Sequence, residues 1–237
     1  MLLGESVLKP EEYVLRATDH YYNGEYEEAI RNLDKAIELR SDFAEAWYNK
    51  GIVLSVICRH EEEIEVYNKA IELKPDYAEA WNNKSAALGR LGRFDEALEA
   101  SDKALELKPS FAVAWCNRGA ALGWLGRDGE AIEAYEKALE IEPEYVEAWN
   151  NKGVSLFNID NLNEAIKAYD RVIKLKPDYA DAWYNRARVY AKRGITKKAL
   201  SDLRKAIELD KCIKVEAEKD GAFENLGKDK EFKMLIG

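Results

Sequence analysis

Histidine, cysteine and proline are scarce in this chain, and each scarcity removes a class of protein. Of 237 residues, two are histidine (His20, His60) and three are cysteine (Cys58, Cys116, Cys212), with no C-x-x-C pair. That set has neither the spacing of a metal site nor the pairing of a disulfide framework, so it predicts a reducing, cytoplasmic compartment and no cofactor. Five prolines and 14 glycines are too few for a disordered chain or for strands joined by tight turns. Long apolar runs are missing too. The longest, Gly51–Cys58, contains Ser55 and falls far short of the roughly 20 residues that cross a bilayer. The stretch M-L-L-G-E-S-V-L-K-P has no basic leader and no apolar core of secretory length, so no signal peptide is expected. Positive charge is in deficit. Lys and Arg number 36 against 45 Asp and Glu, a net charge of −9, which disfavours nucleic acid and membrane as partners.

Catalytic constellations are lacking as well. The two histidines stand far apart, and the glycine-bearing stretch Gly123–Gly129 (G-W-L-G-R-D-G) has no Lys-Ser/Thr and no strand pattern before it. It is not a phosphate loop. A non-enzymatic protein is expected.

What the chain has in abundance is repetition. Tyr77–Lys84 (Y-A-E-A-W-N-N-K) returns as Tyr145–Lys152 (Y-V-E-A-W-N-N-K), 68 residues on, and half that step runs almost throughout. Trp47, Trp81, Trp115, Trp149 and Trp183 are 34 residues apart, with Tyr13 in the slot before them; Pro75, Pro109, Pro143 and Pro177 keep the same step. With position 1 at Ala44, Ala78, Ala112, Val146 or Ala180, an aromatic at 4, a small residue at 8 and a large one at 11 follow the i, i+4, i+7 spacing of one helix face. Gly92, Gly126 and Gly194 at position 15 stop that helix. A second helix carries Ala131, Tyr135 and Ala138 or their equivalents, and proline at position 32 ends the unit. Each unit is therefore expected to be an antiparallel helix pair. The expected division is an extension at 1–9, six units (10–43, 44–77, 78–111, 112–145, 146–179, 180–213) and capping helices at 214–237.

The set Trp115, Gly119, Leu122, Ala131, Tyr135, Ala138 and Pro143 resembles the tetratricopeptide repeat (TPR) family. The resemblance covers about nine-tenths of the chain. It implies an all-α, right-handed superhelical solenoid of antiparallel helix pairs, with the first helix of each pair lining a concave groove. The stretch A-F-E-N-L-G-K-D-K-E-F-K-M-L-I near the end is similar to the closing helix of such arrays. Some units depart from the pattern. Ser41 stands where proline is expected, and Glu63 stands where a small residue packs. Because an unpaired buried carboxylate is costly, Glu63 is expected to turn outward at a loosened turn.

Placed at about 100° per residue, position 6 points away from the face bearing the Trp. It is Asn49, Asn83, Asn117, Asn151 and Asn185 in five successive units. The resemblance implies that these amides form a ladder along the groove. An amide can bond both the C=O and the N–H of an extended peptide, and a similar ladder holds peptides in the TPR region of the O-linked N-acetylglucosamine transferases. Two roles fit the row: contact with a peptide, or local bonding between neighbouring helices. A chaperone-cofactor role is weaker. The family members that clamp acidic chaperone tails need basic groups where this chain has Glu45, Glu79, Val113, Glu147 and Asp181.

Other groups are expected on the groove. Ala86, Gly89, Ala120, Gly123 and Val154 leave space, Trp124 and Phe157 offer apolar contact, and Glu79 and Glu147 add negative charge. Arg188 and Lys192, one turn apart beside Asn185, are placed to receive a carboxylate. The basic residues at position 7 (Arg16, Lys50, Lys84, Arg118, Lys152, Arg186) are expected to lay their stems over the Trp and send their heads to water. Residues 1–179 hold 22 basic and 35 acidic side chains, whereas 180–213 hold nine and four. The expected partner is a protein or peptide, and the charge asymmetry leaves self-association by end-to-end stacking as the alternative.

Overall fold

The computed structural model describes residues 8–237, and among them all regular structure is helical. Two kinds of helix alternate. The A helices are α1 (Pro10–Tyr22), α3 (Ala44–Val56), α5 (Ala78–Arg90), α7 (Ala112–Trp124), α9 (Val146–Asn158) and α11 (Ala180–Lys192). The B helices are α2 (Tyr26–Leu39), α4 (His60–Leu73), α6 (Phe94–Leu107), α8 (Asp128–Ile141), α10 (Leu162–Leu175) and α12 (Thr196–Leu209). Then come α13 (Ile213–Lys219), a 3-10 turn at Gly221–Leu226 and α14 (Lys230–Ile236).

Two local devices punctuate the pairs. Every A-to-B turn passes through one residue in the left-handed region: Gly24, Cys58, Gly92, Gly126, Asp160 and Gly194, with φ between 58° and 77°. The next amide then bonds back to a carbonyl five residues earlier, as Arg93 does to Leu88 at 3.0 Å and Asn161 to Leu156 at 2.8 Å. This satisfies carbonyls that the helix end would leave unpaired. At the B-to-A turns each Trp indole N–H donates to the carbonyl at position 32. Trp115 donates to Pro109 and Trp183 to Pro177, both at 2.9 Å, and Trp47 to Ser41 at 3.0 Å. The missing proline at Ser41 therefore leaves the device intact, since the carbonyl is what the indole needs. The five Trp rings are half-buried at these seams.

Size complementarity recurs in the helix pairs. Gly153 faces Tyr169 so tightly that a Cβ would lie 2.6 Å from the ring, and Gly51 faces Tyr67 in the same way. Where the B-helix partner is smaller, the A-helix residue is larger: Ala17 with Leu33, Ser85 with Ser101, Ala187 with Leu203.

The chain forms two compact units, one ending at Ala121 and the other beginning at Leu122. The first has its core in residues such as Leu33, Leu54, Tyr67, Leu88 and Ala100. Glu63 corrects expectation here. It is 1% exposed, not turned to water, because Arg90 reaches it at 2.9 Å and His60 bonds its other oxygen at 2.9 Å. The second unit has its core in Leu156, Tyr169 and Val189, continuing through Leu203 to Phe223, Leu226 and Phe232. These last three bring the segment after α12 onto the apolar side of α11 and α12, burying a face that would otherwise be open.

Position 7 also differs from expectation in part. The stems do lie over the rings, with Lys152 Nζ 5.5 Å from the centre of Trp149 and Arg186 4.9 Å from Trp183. The heads, however, pair with acids on B helices: Lys50 with Asp34 at 2.6 Å, Arg118 with Asp102 and Lys152 with Glu136 at 2.7 Å, and Arg186 with both Asp170 and Asp202. Arg16 in the first pair is exposed; among the pairs that carry a Trp, Lys84 is the exception. Asn68 stands where its acid would be, and burial pushes its ammonium below the usual lysine range.

Candidate functional site

All five position-6 asparagines are half-buried, so the row sits partly inside the helix packing instead of standing clear of it. In the first unit Asn83 Nδ2 donates to the hydroxyls of Tyr48 (3.3 Å) and Tyr67 (3.4 Å), and its oxygen accepts from Asn82 at 3.1 Å. Asn117 Nδ2 donates to Asn82 Oδ1 at 3.0 Å. Position 6 of one pair thus bonds position 5 of the pair before it. Burial raises the pKa of both tyrosines. Asn49 bonds no described residue and lines a cavity between α1 and α3.

In the second unit Asn151 accepts from Asn150 at 3.4 Å, and Asn185 accepts from Arg188 at 3.2 Å. Asn150 is 8% exposed and its Oδ1 has no partner among the described residues. Its counterpart in the first unit, Asn82, has that oxygen filled by Asn117. Asn185, at the position equivalent to Asn117, accepts from Arg188 through its oxygen and makes no bond to Asn150.

The remaining expected residues divide. Trp124 is 74% exposed. Phe157 is half-buried, not exposed, because Arg188 and Lys192 cover its ring at 4.8 and 5.0 Å, a cation–π arrangement. Gly89 borders open space, but Gly123 is already in contact with Ser155 and Tyr135. Glu79 accepts from Lys108 at 3.0 Å, and that bond holds its carboxyl below the usual range. Glu147 is exposed. Arg188 and Lys192 are not waiting for a carboxylate: Asp220 Oδ2 lies 2.7 Å from Arg188 Nε, and Asp160 lies 2.8 Å from Lys192. Asp220 also accepts from the Tyr184 hydroxyl at 2.8 Å and caps the turn that follows it. These residues surround a polar hollow of about 340 Å3 with Asn225. Asp220 lies outside the repeats, so no periodic position pointed to this pairing.

Among the described residues no cluster of three or more His, Cys, Asp or Glu is placed to hold a metal, and no helix is long and apolar enough to cross a membrane.

Known proteins share this architecture. A stretch of 58 residues, 24% of this chain, is 43% identical to an uncharacterized protein of Methanocaldococcus jannaschii and spans 67% of it. Among solved structures, YrrB, described as a TPR protein with an unusual peptide-binding site, is 28% identical. That match covers 79% of this chain and 98% of YrrB, with a TM-score of 0.62. PilF of Pseudomonas aeruginosa is 19% identical over 92% of this chain and 96% of its own, with a TM-score of 0.75. MamA of Desulfovibrio magneticus is 23% identical over 72% and 96%, with a TM-score of 0.66; these last two likenesses concern the fold alone. Tetratricopeptide repeat models match residues 14–78, 66–99, 112–145, 134–167, 157–194 and 180–211. With the paired helices, the left-handed turns and the recurring indole bonds, these matches establish that the chain belongs to the tetratricopeptide repeat family.

Proposed function

We propose that this protein is a non-enzymatic interaction scaffold, and that an extended peptide or partner tail lies against the asparagine-bearing face of its A helices. The observation that carries this is the state of the amides. Each has two donor hydrogens and an acceptor oxygen; the internal bonds use all three at Asn83, one each at Asn117, Asn151 and Asn185, and none at Asn49, so four of the five keep most of that capacity. A row kept only to tie helices together would spend more of that capacity. YrrB, with its peptide-binding site, supports the same class of ligand. Trp124 and Glu147 add exposed apolar surface and negative charge, which favours a segment with apolar anchors and basic residues.

The test is affinity capture from the source organism's lysate with wild type and the Asn117→Ala/Asn151→Ala variant, both checked for full helicity by circular dichroism. Specific proteins retained by wild type and lost from the variant are the expected result. Identical capture by both would assign the amides to helix packing and end the ladder proposal.

A further inference from the structure

The cavity between α1 and α3 measures about 270 Å3. Its floor is apolar and buried, made by Ala17, Leu33 and Val53, each at most 3% exposed. Its wall includes Tyr22, which is 81% exposed although it is a large aromatic side chain. Asn49 and Ile52 form the opposite side. Asn83, Asn117, Asn151 and Asn185 each bond within the fold, but the Asn49 amide does not.

The neighbouring groups follow from helix geometry. Glu45, Asn49, Ile52 and Val56 recur at i, i+4, i+7 and i+11, so they share one face of α3. Glu45 is exposed and has no ion pair among the described residues, unlike Glu79 at the same position of α5, which holds Lys108. On α1 the same face carries Leu15, 66% exposed, together with Tyr22. An apolar socket, an unspent amide and an unpaired carboxylate therefore stand on one surface.

We propose that this socket is the anchoring subsite for an extended protein segment. One bulky aliphatic or aromatic side chain fills the cavity, a main-chain amide bonds Asn49, and a nearby Lys or Arg meets Glu45. The inference rests on the peptide-scaffold reading and names the residue pattern that its ligand must carry. Charge favours it: residues 1–121 hold 23 acidic and 15 basic side chains, a field that attracts a basic segment and repels acidic ones. A small apolar molecule would fill the cavity but leave Asn49 and Glu45 unused.

The probe is a pair of acetylated, amidated hexapeptides, Ser-Lys-Ser-Leu-Ser-Ser and its form with Ser in place of Leu, titrated to millimolar concentration into the full chain with labelled Ile, Leu and Val methyl groups. The leucine peptide is expected to shift the methyl resonances of Leu33, Ile52 and Val53, and the serine form to leave them in place. Replacing the peptide's Lys by Glu should weaken the effect severalfold. Asn49→Ala should weaken it about fivefold, the value of one neutral hydrogen bond. Equal shifts from both peptides, or none at these methyls, would overturn the proposal. So would concentration-dependent shifts without peptide, which would put a second copy of the chain in the socket. Partner capture that depends on Asn117 and Asn151 while the socket stays silent would reject the anchor and leave the scaffold reading standing.

Discussion

A carboxylate that is 1% exposed must be paired or neutral, and Glu63 is held between Arg90 and His60. Arg90 also donates to Ser55 at 2.9 Å, so one guanidinium ties α5 to both α3 and α4. Breaking a fully buried pair typically costs 3–5 kcal/mol. Arg90 keeps 42% of its side chain exposed, so solvent takes up part of the loss, and Arg90→Ala is expected to destabilise by about 2–3 kcal/mol. Adding Glu63→Ala removes the stranded charge and restores the small residue found at this position in every other pair. The double variant should therefore recover most of the loss, a coupling that urea melts of the two single variants and the double one measure directly. Equal destabilisation in single and double variants would mean that Glu63 is satisfied without Arg90.

Among helices, the recurring link is the position-7 cation clamped between its own Trp and an acid on a B helix. The second pair lacks that acid, since Asn68 leaves Lys84 half-buried with no contact ion pair, only the more distant carboxylates of Glu96 and Glu99 offsetting its burial. Burial lowers the Lys84 pKa from its ordinary 10.5. A lysine whose folded pKa is depressed binds its proton more weakly than in the unfolded chain. Its penalty is therefore full at neutral pH and fades as pH rises through the folded value toward 10.5. Asn68→Asp should raise stability at pH 7 by about 0.2–1 kcal/mol and flatten the alkaline gain, both read from thermal melts at pH 7 and in the alkaline range. An unchanged melt would place Lys84 out of reach of position 68. Helix boundaries and turns were legible in the sequence because each is set by one residue at a fixed step: Gly92, Gly126 and Gly194 at the turns, Pro75 to Pro177 at the seams. Cys58 and Asp160 take the same left-handed geometry without glycine, so composition understated the regularity. The amide contacts were not legible, because Asn117 meets Asn82 across 35 residues and only packing decides which end of each amide is spent. Arg188 and Lys192 misled for a related reason, their partners Asp220 and Asp160 lying in a cap and a turn.

Across the whole molecule the net charge of −9 conceals an uneven distribution, and end-to-end stacking is the assembly such a distribution suggests. The fold changes the weight of that idea. Of the nine cations at 180–213, Arg186, Arg188, Lys192, Arg204 and Lys205 are already committed to acids of the second unit. What is left to steer another copy is mainly Arg193, Lys197, Lys198 and Lys211, opposed locally by Asp181 and Asp210. Exposed charges of that number act over a Debye length of about 8 Å at physiological salt and only somewhat farther at low salt. The expected result is the mass of one 27.1 kDa chain by light scattering at both low and physiological ionic strength, with no change in Lys197→Glu/Lys198→Glu. A heavier species at low salt that disappears in the sign-reversed variant would establish stacking. Partner capture would then have to be repeated with the dissociated variant, because a face covered by a neighbouring copy is not available to a peptide.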